Sequence, residues 1–334
     1  YLNKNIFYGL LNFHKIDAFK TMNQKNKSFF KDAKTIQIFN HFATHVGSNP
    51  FVAPATLNVI QHLEINMGTY IPDNGMYSIV TSILKLAAEI GVKIEFNSYV
   101  NEIMTSNGKA IGVKINNKEI HSDIVISNMD VYYTYKKLLP NYPSPKSIKH
   151  SKSSSIIGFY WNINTVFPEL ETHNMFFSTN EELEFHKLFN EKTISEDPSI
   201  YIGITSKHVK TDAPNNCENW FVMIQAPQIE NQDWDELVKT TREKAKRKLN
   251  KVLKTNIDNF IESETVLTPV NIRDNYKTAF GSIYGNNSNN KFSAFLRHPN
   301  FTKKIKNLYF VGGTVHPGGG IPMCLNSAKI IEDE

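Results

Sequence analysis

The residues best placed for chemistry near the end of the chain are glycines rather than acids or nucleophiles. Gly312 and Gly313 follow a short apolar run, and Gly318 to Gly320 form a second stretch without Cβ atoms shortly before Pro322. Proline suits the first turn of a helix, because its missing N–H costs nothing there. A glycine turn before a helix lets a flat or anionic ligand approach unpaired N–H groups at the positive end of the helix dipole. A tight structural turn is the alternative interpretation.

Other reactive side chains do not form a recognisable site. His41 and His45 stand four residues apart on a predicted helix, but no carboxylate or third ligand accompanies them, so the sequence predicts no metal site. Cys217 and Cys324 are far apart and neither belongs to a CxxC pair, which disfavours a disulfide scaffold and fits a reducing cytoplasm. Cys324 follows the predicted helix start, where a thiol pKa can be lowered, although packing on the sheet is the favoured interpretation.

Composition describes a globular protein with a modest positive charge. The 334 residues are 40% hydrophobic and 21% charged, and the net charge is +5. No run approaches the roughly 18 apolar residues that span a membrane, and the first residues show no signal-peptide pattern. Only four of the 37 basic residues are arginines. Lysine is the poorer residue for bidentate contacts with bases, so we expect no nucleic-acid partner, while attraction to an anionic membrane surface stays open.

The elements that position these residues begin with helices. Apolar side chains recur at helical spacing around residues 7–14, 36–46 and 57–67. Ordinary core is the favoured interpretation of these stripes, and contact with a greasy substrate or the bilayer is the alternative. Residues 76–90 form a convincing amphipathic helix that Gly91 closes.

Strands of two sheets follow. The predicted strands are 92–96, 99–105, 109–115, 123–128, 155–162, 199–205, 220–225 and 308–311. The Asn107-Gly108 pair is a hairpin signal, and the run at 123–128 suits a sheet buried on both faces. Residues 141–155, rich in Pro, Ser and Lys, are predicted to be a linker or surface loop.

Two further helices are predicted near the second sheet. Residues 234–254 form a long basic helix, for which a solvated face is favoured over a membrane-contact face. Thr268 as N-cap with Pro269 at the first position starts another helix.

The glycine stretch carries a resemblance to a known family. V-G-G-T-x-H-P-G-G-G-I-P at 311–322 resembles the C-terminal flavin motif of the carotenoid desaturases, the phytoene desaturase family of flavin amine oxidase-like enzymes. F-N-H-F-A-T-H-V-G-S-N-P at 39–50 and S-D-I-V-I-S-N at 122–128 are similar to further segments of that family. The resemblance therefore runs over nearly the whole chain.

The resemblance implies an α/β (α+β) fold with two parts: an FAD/NAD(P)-binding Rossmann-like domain, incomplete in this chain, and a substrate domain with a mixed β-sheet covered by helices. It implies four segments. Residues 1–71 are a helical part of the substrate or membrane-contact domain, 72–140 an FAD-domain segment of helix, β-meander and strand, 141–304 the substrate domain, and 305–334 the C-terminal FAD-domain segment.

The activity implied is that of an FAD-dependent carotenoid desaturase of carotenoid biosynthesis, which introduces C=C bonds into a long isoprenoid. I-P-M-C-L-N-S-A-K at 321–329 resembles late-acting hydroxycarotenoid 3,4-desaturases. The alternatives are a phytoene or diapophytoene desaturase, a carotenoid isomerase or amine oxidase, and a non-catalytic isoprenoid-binding protein. A lipid-soluble carotenoid substrate implies peripheral association with the inner membrane. We expect a cytoplasmic location from the cysteine usage and a bacterial source from the composition rich in lysine and asparagine.

The resemblance also implies the site. The residues expected to bind the flavin are Gly312, Gly313, Gly318, Gly319, Gly320, Ile321, Pro322 and Met323. His316 and Arg297 are the candidate catalytic polar groups, with a salt bridge or structural cap as the alternative for each. Loss of hydride from an allylic carbon leaves a delocalised cation that loses its proton easily, so desaturation needs little acid–base machinery from the protein.

One family feature is absent from the sequence. The GxGxxG fingerprint that cradles the pyrophosphate does not occur, and the Gly281–Gly285 stretch has the wrong spacing. The family carries that fingerprint in an N-terminal segment. We therefore expect the chain to be the C-terminal two-thirds of the enzyme, and we expect this fragment alone not to hold FAD.

Overall fold

The computed structural model describes residues 16–17, 19–290 and 297–332. Its helices are α1 (Met22–Phe29), α2 (Ala33–His41), α3 (Val59–Asn66), α4 (Tyr77–Glu89), α5 (Val131–Tyr133), α6 (Glu181–His186), α7 (Trp234–Leu253), α8 (Pro269–Tyr276) and α9 (Ile321–Glu332). Its strands are β1 (Val100–Ser106), β2 (Lys109–Ile115), β3 (Lys118–His121), β4 (Val125–Ser127), β5 (Ser155–Ile163), β6 (His173–Phe176), β7 (Ile200–Gly203), β8 (Glu218–Ala226), β9 (Ile261–Leu267) and β10 (Leu308–Phe310). The helix predicted at 7–14 lies outside the described residues.

The first helices are defined by their caps. Thr21 and Gln24 form a capping box at the start of α1, and Asp32 accepts from a first-turn N–H of α2. The helix predicted over 36–46 is found as α2 followed by a 3-10 turn, Phe42–Val46.

A ladder of buried amides joins these helices to the rest of the fold. Asn26 Nδ2 donates to Asn40 Oδ1 at 2.9 Å, and Asn58 Nδ2, just before α3, donates to Asn26 Oδ1 at 3.1 Å. Asn40 Nδ2 also donates to Glu181 Oε2 of α6 at 3.0 Å. This ladder of hydrogen bonds holds α1, α2 and α3 against α6. The α3 helix lies close to its predicted range of 57–67.

A small antiparallel meander, β1–β2–β3, follows α4. Asn107 and Gly108 both have positive φ (49° and 71°), which confirms the hairpin predicted there. The strand predicted at 92–96 is wrong: the segment is irregular, and Val92 and Phe96 are exposed. Alternating hydrophobicity produces a strand only where an edge is available to pair with it, and no described strand pairs with this one.

The last strand, β10, pairs in parallel with β4, from Leu308 opposite Val125 to Phe310 opposite Ser127. One face of this pair is buried in a core that α5 helps to form. On the other face Ile126 is 54% exposed, so burial on both faces, as the sequence predicts, is not found in the described part. The α4 helix also lacks buried residues.

The second sheet has the strand order β6-β7-β8-β5-β9 and is antiparallel throughout, where a mixed sheet was expected. Its core includes Phe159, Trp161 and Trp220, against which Ala245 and Leu249 of α7 pack. The predicted α7, β5, β7 and β8 are confirmed within a few residues. The N-cap Thr268 and the first-turn Pro269 of α8 are also confirmed.

The basic face of α7 is occupied by ion pairs. Three of its lysines lie within 2.8 Å of carboxylates from neighbouring segments: Lys244 with Glu196, Lys246 with Asp258, and Lys248 with Asp197. This pairing supports the solvated-face interpretation over a membrane-contact face.

Candidate functional site

The predicted strand–glycine turn–helix unit is found at the end of the described chain. β10 ends at Phe310, and α9 begins at Ile321 after the glycine turn, which we define as residues 312–320. Gly312 has φ +99°, and a Cβ atom there would lie 2.5 Å from Asn128 Oδ1. Its N–H donates to Ser327 Oγ of α9 at 2.8 Å. The start of the turn therefore requires glycine and is fixed to the helix that follows.

In the second glycine stretch, Gly318 and Gly319 each face a side chain, while the space beside Gly320 is open. A Cβ atom on Gly318 would be 3.1 Å from Arg297 Nε, and one on Gly319 would be 2.8 Å from Tyr284 Cδ1. A Cβ atom on Gly320 would meet nothing within 4 Å. The turn is thus packed from behind and open where it reaches the helix.

The start of α9 presents free donors. Ile321 and Pro322 are exposed and Met323 is half-buried. Cys324 N–H donates to Gly320 O, whereas the N–H groups of Ile321 and Met323 have no hydrogen-bond acceptor among the described residues. Together with the positive end of the helix dipole, these N–H groups could bind the electron-rich edge of a ligand. Burial raises the pKa of the Cys324 thiol, so a lowered pKa at this position is not found.

The two predicted catalytic candidates lie in different environments. The His316 side chain is exposed, while its backbone N–H donates to His298 O and its carbonyl accepts from Asn300 Nδ2. Arg297 is only 8% exposed, behind Gly318. Their roles in catalysis stay predictions.

Three buried ionisable groups lie behind the turn. Asp130 accepts from the N–H groups of Tyr132 and Ala279, both at 2.8 Å, and burial raises the pKa of its carboxyl. Lys152 donates to Asn286 Oδ1 at 2.6 Å, and burial lowers its pKa. Burial likewise lowers the pKa of Arg297.

The side chains that shape the turn carry no motif of their own. Asn128 ends the predicted strand at 123–128, and Tyr284 lies between Gly281 and Gly285, whose spacing does not fit a nucleotide fingerprint. Nothing local marks Asn300, whose Nδ2 donates to Phe310 O across the buried side of β10. These three residues lie against backbone atoms or donate hydrogen bonds to them, and a sequence motif does not indicate such contacts.

The geometry fits one half of a site for a dinucleotide cofactor. The site combines two parallel strands, a glycine turn that is open at Gly320, and a helix start with free N–H groups. This arrangement could hold a flat group such as a flavin. No cluster of three potential metal ligands occurs in the part of the chain described here. The fold and site thus define an α/β protein of the class that binds a nucleotide cofactor.

Comparison with known proteins narrows this class to one family. Residues 16–330 match the family described as flavin containing amine oxidoreductase, and the chain belongs to that family. It is 45% identical over 334 residues to a 1-hydroxycarotenoid 3,4-desaturase of a Flavobacterium species, covering all of this chain and 68% of that relative. It is 33% identical to a 4,4'-diapolycopene oxygenase of a Methylomonas species, covering 98% of this chain and 67% of that relative.

Solved structures support the fold. An oxidoreductase from Methanosarcina mazei matches with a TM-score of 0.64 at 14% identity, covering 99% of this chain and 73% of that one. A redesigned putrescine oxidase matches with a TM-score of 0.57 at 12% identity, covering 96% and 69%. The predicted combination of helices and sheets in a flavoprotein fold is confirmed.

Proposed function

We propose that this chain acts as an FAD-dependent carotenoid desaturase that introduces C=C bonds into a long isoprenoid. The observation that carries the proposal is the identity of 45% along the entire chain to a desaturase of hydroxycarotenoids. The open glycine turn and the free donors of α9 lie where a flavin of this family is expected. A 3,4-desaturation of a hydroxycarotenoid is the specific reaction that this relative supports.

The chain's own residues would bind and orient the cofactor. Gly320, where the turn is open, would allow close approach of a flat ring, while Gly312, Gly318 and Gly319 pack against neighbouring side chains. Ile321 and Met323 would donate N–H groups to the electron-rich edge of that ring. When bound, FAD supplies the acceptor for the hydride. The protein's remaining task is to hold a polyene near that acceptor and exclude water.

The reaction type is tested with the protein expressed from its complete reading frame. A hydroxycarotenoid in vesicles is incubated with the enzyme, and the product is analysed by mass spectrometry. Desaturation removes two hydrogen atoms for each new double bond. A product of unchanged mass with altered double-bond geometry would indicate a carotenoid isomerase instead, and recovery of bound but unaltered carotenoid would indicate a non-catalytic isoprenoid-binding protein.

Oxygenation is the second candidate function. It is favoured by the 33% identity to a 4,4'-diapolycopene oxygenase over 98% of the chain. The same assay under isotopically labelled dioxygen separates the two reactions, because an oxygenase transfers label into the carotenoid and a desaturase does not. Phytoene and diapophytoene as substrates test the remaining desaturase alternatives.

We further propose that residues 1–334 alone do not retain FAD. Two observations support this: the sequence has no GxGxxG fingerprint, and the described parallel sheet has only two strands, with Ile126 exposed on one face. Purified chain should show no flavin absorbance beyond a trace. A stoichiometric flavin band would contradict the proposal.

Membrane attachment from the cytoplasmic side of the inner membrane is also proposed. None of the described helices combines the length and the apolarity needed to cross a bilayer. Val59 and Leu63 of α3 and the adjacent Met67 form an exposed apolar stripe. Phe29 at the end of α1 is 67% exposed, and Lys25 Nζ lies 4.9 Å from its ring centroid. Apolar side chains beside lysines are typical of surfaces that rest on anionic lipid.

A further inference from the structure

Arg297 is a buried cation without an anionic partner among the residues that the structure describes. It is 8% exposed, and its Nη1 donates to Tyr284 O at 3.1 Å. No Asp or Glu of the described residues forms an ion pair with it, and the adjoining sequence 291–296 contains neither residue type. Arginine stays protonated even when buried, so the positive charge is present and uncompensated.

Arg297 faces the glycine turn. A Cβ atom on Gly318 would lie 3.1 Å from Nε and 3.2 Å from Cζ, so the guanidinium rests against the backbone of that residue. Two residues further on, the position beside Gly320 is open, and the unpaired N–H groups of Ile321 and Met323 follow. The buried charge and the positive end of the α9 dipole therefore act on the same turn.

The nearby charges do not neutralise Arg297. Lys152, 6% exposed, is a second buried cation in its electrostatic range. Asp130 is the buried acid of this group, but its two oxygens accept from the backbone N–H groups of Tyr132 and Ala279. No described carboxylate therefore forms an ion pair that offsets the charge of Arg297. An uncompensated buried charge is unfavourable, and a bound anion would offset it.

We propose that Arg297 provides the countercharge for negative charge on a ligand held at the glycine turn and the start of α9. The inference rests on the proposed function, in which that ligand is the flavin and the negative charge is the one it acquires on reduction. Arg297 acts through the backbone of Gly318 and is a positioning and electrostatic residue, not one that reacts with substrate. If Arg297 had only a structural role, its N–H donors would be sufficient and its positive charge would not be needed.

Sulfite tests the charge separately from activity. Its sulfur forms a bond to an oxidised flavin, the electron pair moves into the ring, and the added negative charge is stabilised by nearby cations. The oxidised absorbance is bleached, which gives the sulfite affinity directly. The experiment uses holoenzyme expressed from the complete reading frame, with Arg297→Gln to remove the charge, Arg297→Lys to keep it, and Arg273→Gln as a control at an exposed arginine paired with Asp274.

Arg297→Gln should weaken sulfite binding about tenfold or more, because a nearby opposite charge shifts an equilibrium that forms a charged group by about that much. Arg297→Lys and Arg273→Gln should stay near wild type. Unchanged sulfite affinity in Arg297→Gln, or equal losses in the Gln and Lys variants, would overturn the inference and leave the proposed function intact. If Arg297→Gln fails to hold flavin, the Lys variant decides: near wild-type affinity supports the proposal, and a loss of about tenfold overturns it. Wild-type enzyme without flavin would contradict the proposed function itself.

Discussion

Gly312 shows how a single missing side chain shapes the candidate site. Its backbone occupies a conformation with positive φ, and Asn128 Oδ1 fills the space that a Cβ atom would need. The same position ties β10 to α9 through the Ser327 hydroxyl. Any side chain at this residue would therefore strain the backbone and displace a neighbour at once.

Gly312→Ala should lower the free energy of unfolding by about 2–3 kcal/mol, because strain and a steric clash add. Gly91→Ala is the matched control, since Gly91 also has positive φ (+83°) but a Cβ atom there would meet nothing within 4 Å. The control should lose only about 1 kcal/mol. Urea denaturation measures both, and equal losses would show that contact with Asn128 has no cost.

Glu181 should make stability depend on pH. One carboxylate oxygen accepts from Asn40, the other is buried without a hydrogen-bond partner in the described structure, and burial raises the pKa of Glu181 to about 7. The stability contributed by the neutral acid is complete below the unfolded pKa of 4.5 and is lost as pH rises through about 7. Nearby Glu184 and Glu182 oppose ionisation of Glu181, and Lys27 favours it.

Glu181→Gln should remove this dependence, so that the variant gains about 1–3 kcal/mol relative to wild type on going from acid to about pH 8. Thermal unfolding across this pH range measures the difference, with Glu169→Gln, at an exposed position, as the control. A constant difference between wild type and Glu181→Gln at every pH would contradict the raised pKa.

The sequence predicted the glycine turn and the helix start correctly, since glycine and proline act through the local backbone. It did not predict their neighbours. Asn128 and Tyr284 reach the turn from distant parts of the chain, and their positions depend on how the strands and loops pack. Arg297 and His316 were proposed as a pair of polar candidates, yet only the structure distinguishes a buried guanidinium from an exposed imidazole.

At the scale of elements, the five-stranded sheet shows which strands a sequence reveals. The three central strands, β7, β8 and β5, were predicted from their apolar runs, whereas the edge strands β6 and β9 were not. Edge strands carry more polar residues because one side remains unpaired, so their pattern is weak. The strand predicted incorrectly at 92–96 is the converse case. Its apolar and polar residues alternate clearly, but no described strand pairs with it.

A buried ion pair at the start of the central strand β8 should be costly to break. Glu218, at 3% side-chain exposure, lies 2.6 Å from Lys207 Nζ and accepts from Trp220 Nε1 at 2.8 Å. Lys207→Met leaves the carboxylate buried without its cation and should cost about 3–5 kcal/mol of unfolding free energy. The control, Lys239→Met, breaks an exposed pair with Glu236 and should cost no more than about 1 kcal/mol. Chemical denaturation checks both, and similar costs would refute the role of burial.

At the scale of the whole molecule, the family resemblance predicted more than the physics of single segments. It indicated the flavoprotein fold and the desaturase activity, because motifs at 39–50, 122–128 and 311–322 agree in their order along the chain. Local patterns could not predict how the helical part meets later segments of the chain. That contact depends on pairs such as Asn40 with Glu181 and Asn49 with Asn289, which are 141 and 240 residues apart.

The exposed stripe of α3 should bind lipid. The double substitution Val59→Ser and Leu63→Ser should lower binding to anionic vesicles about 5- to 150-fold, or by about 1–3 kcal/mol, because it removes exposed apolar surface without opening the core. Val252→Ser, at a 50% exposed position of α7, is the control and should bind as wild type does. Vesicle cosedimentation measures the binding. Equal binding by all three proteins would contradict a membrane role for this stripe.

The most direct test of the central claim is the absorption spectrum of the carotenoid that the enzyme makes. The complete reading frame is co-expressed with a pathway that supplies hydroxycarotenoid precursors, and the pigments are separated and their spectra recorded. Desaturation lengthens the conjugated chain, so the absorption maximum should move to longer wavelength, and Gly312→Ala should diminish the shift. Pigments with unchanged chromophores on every carotenoid precursor supplied would contradict the desaturase assignment.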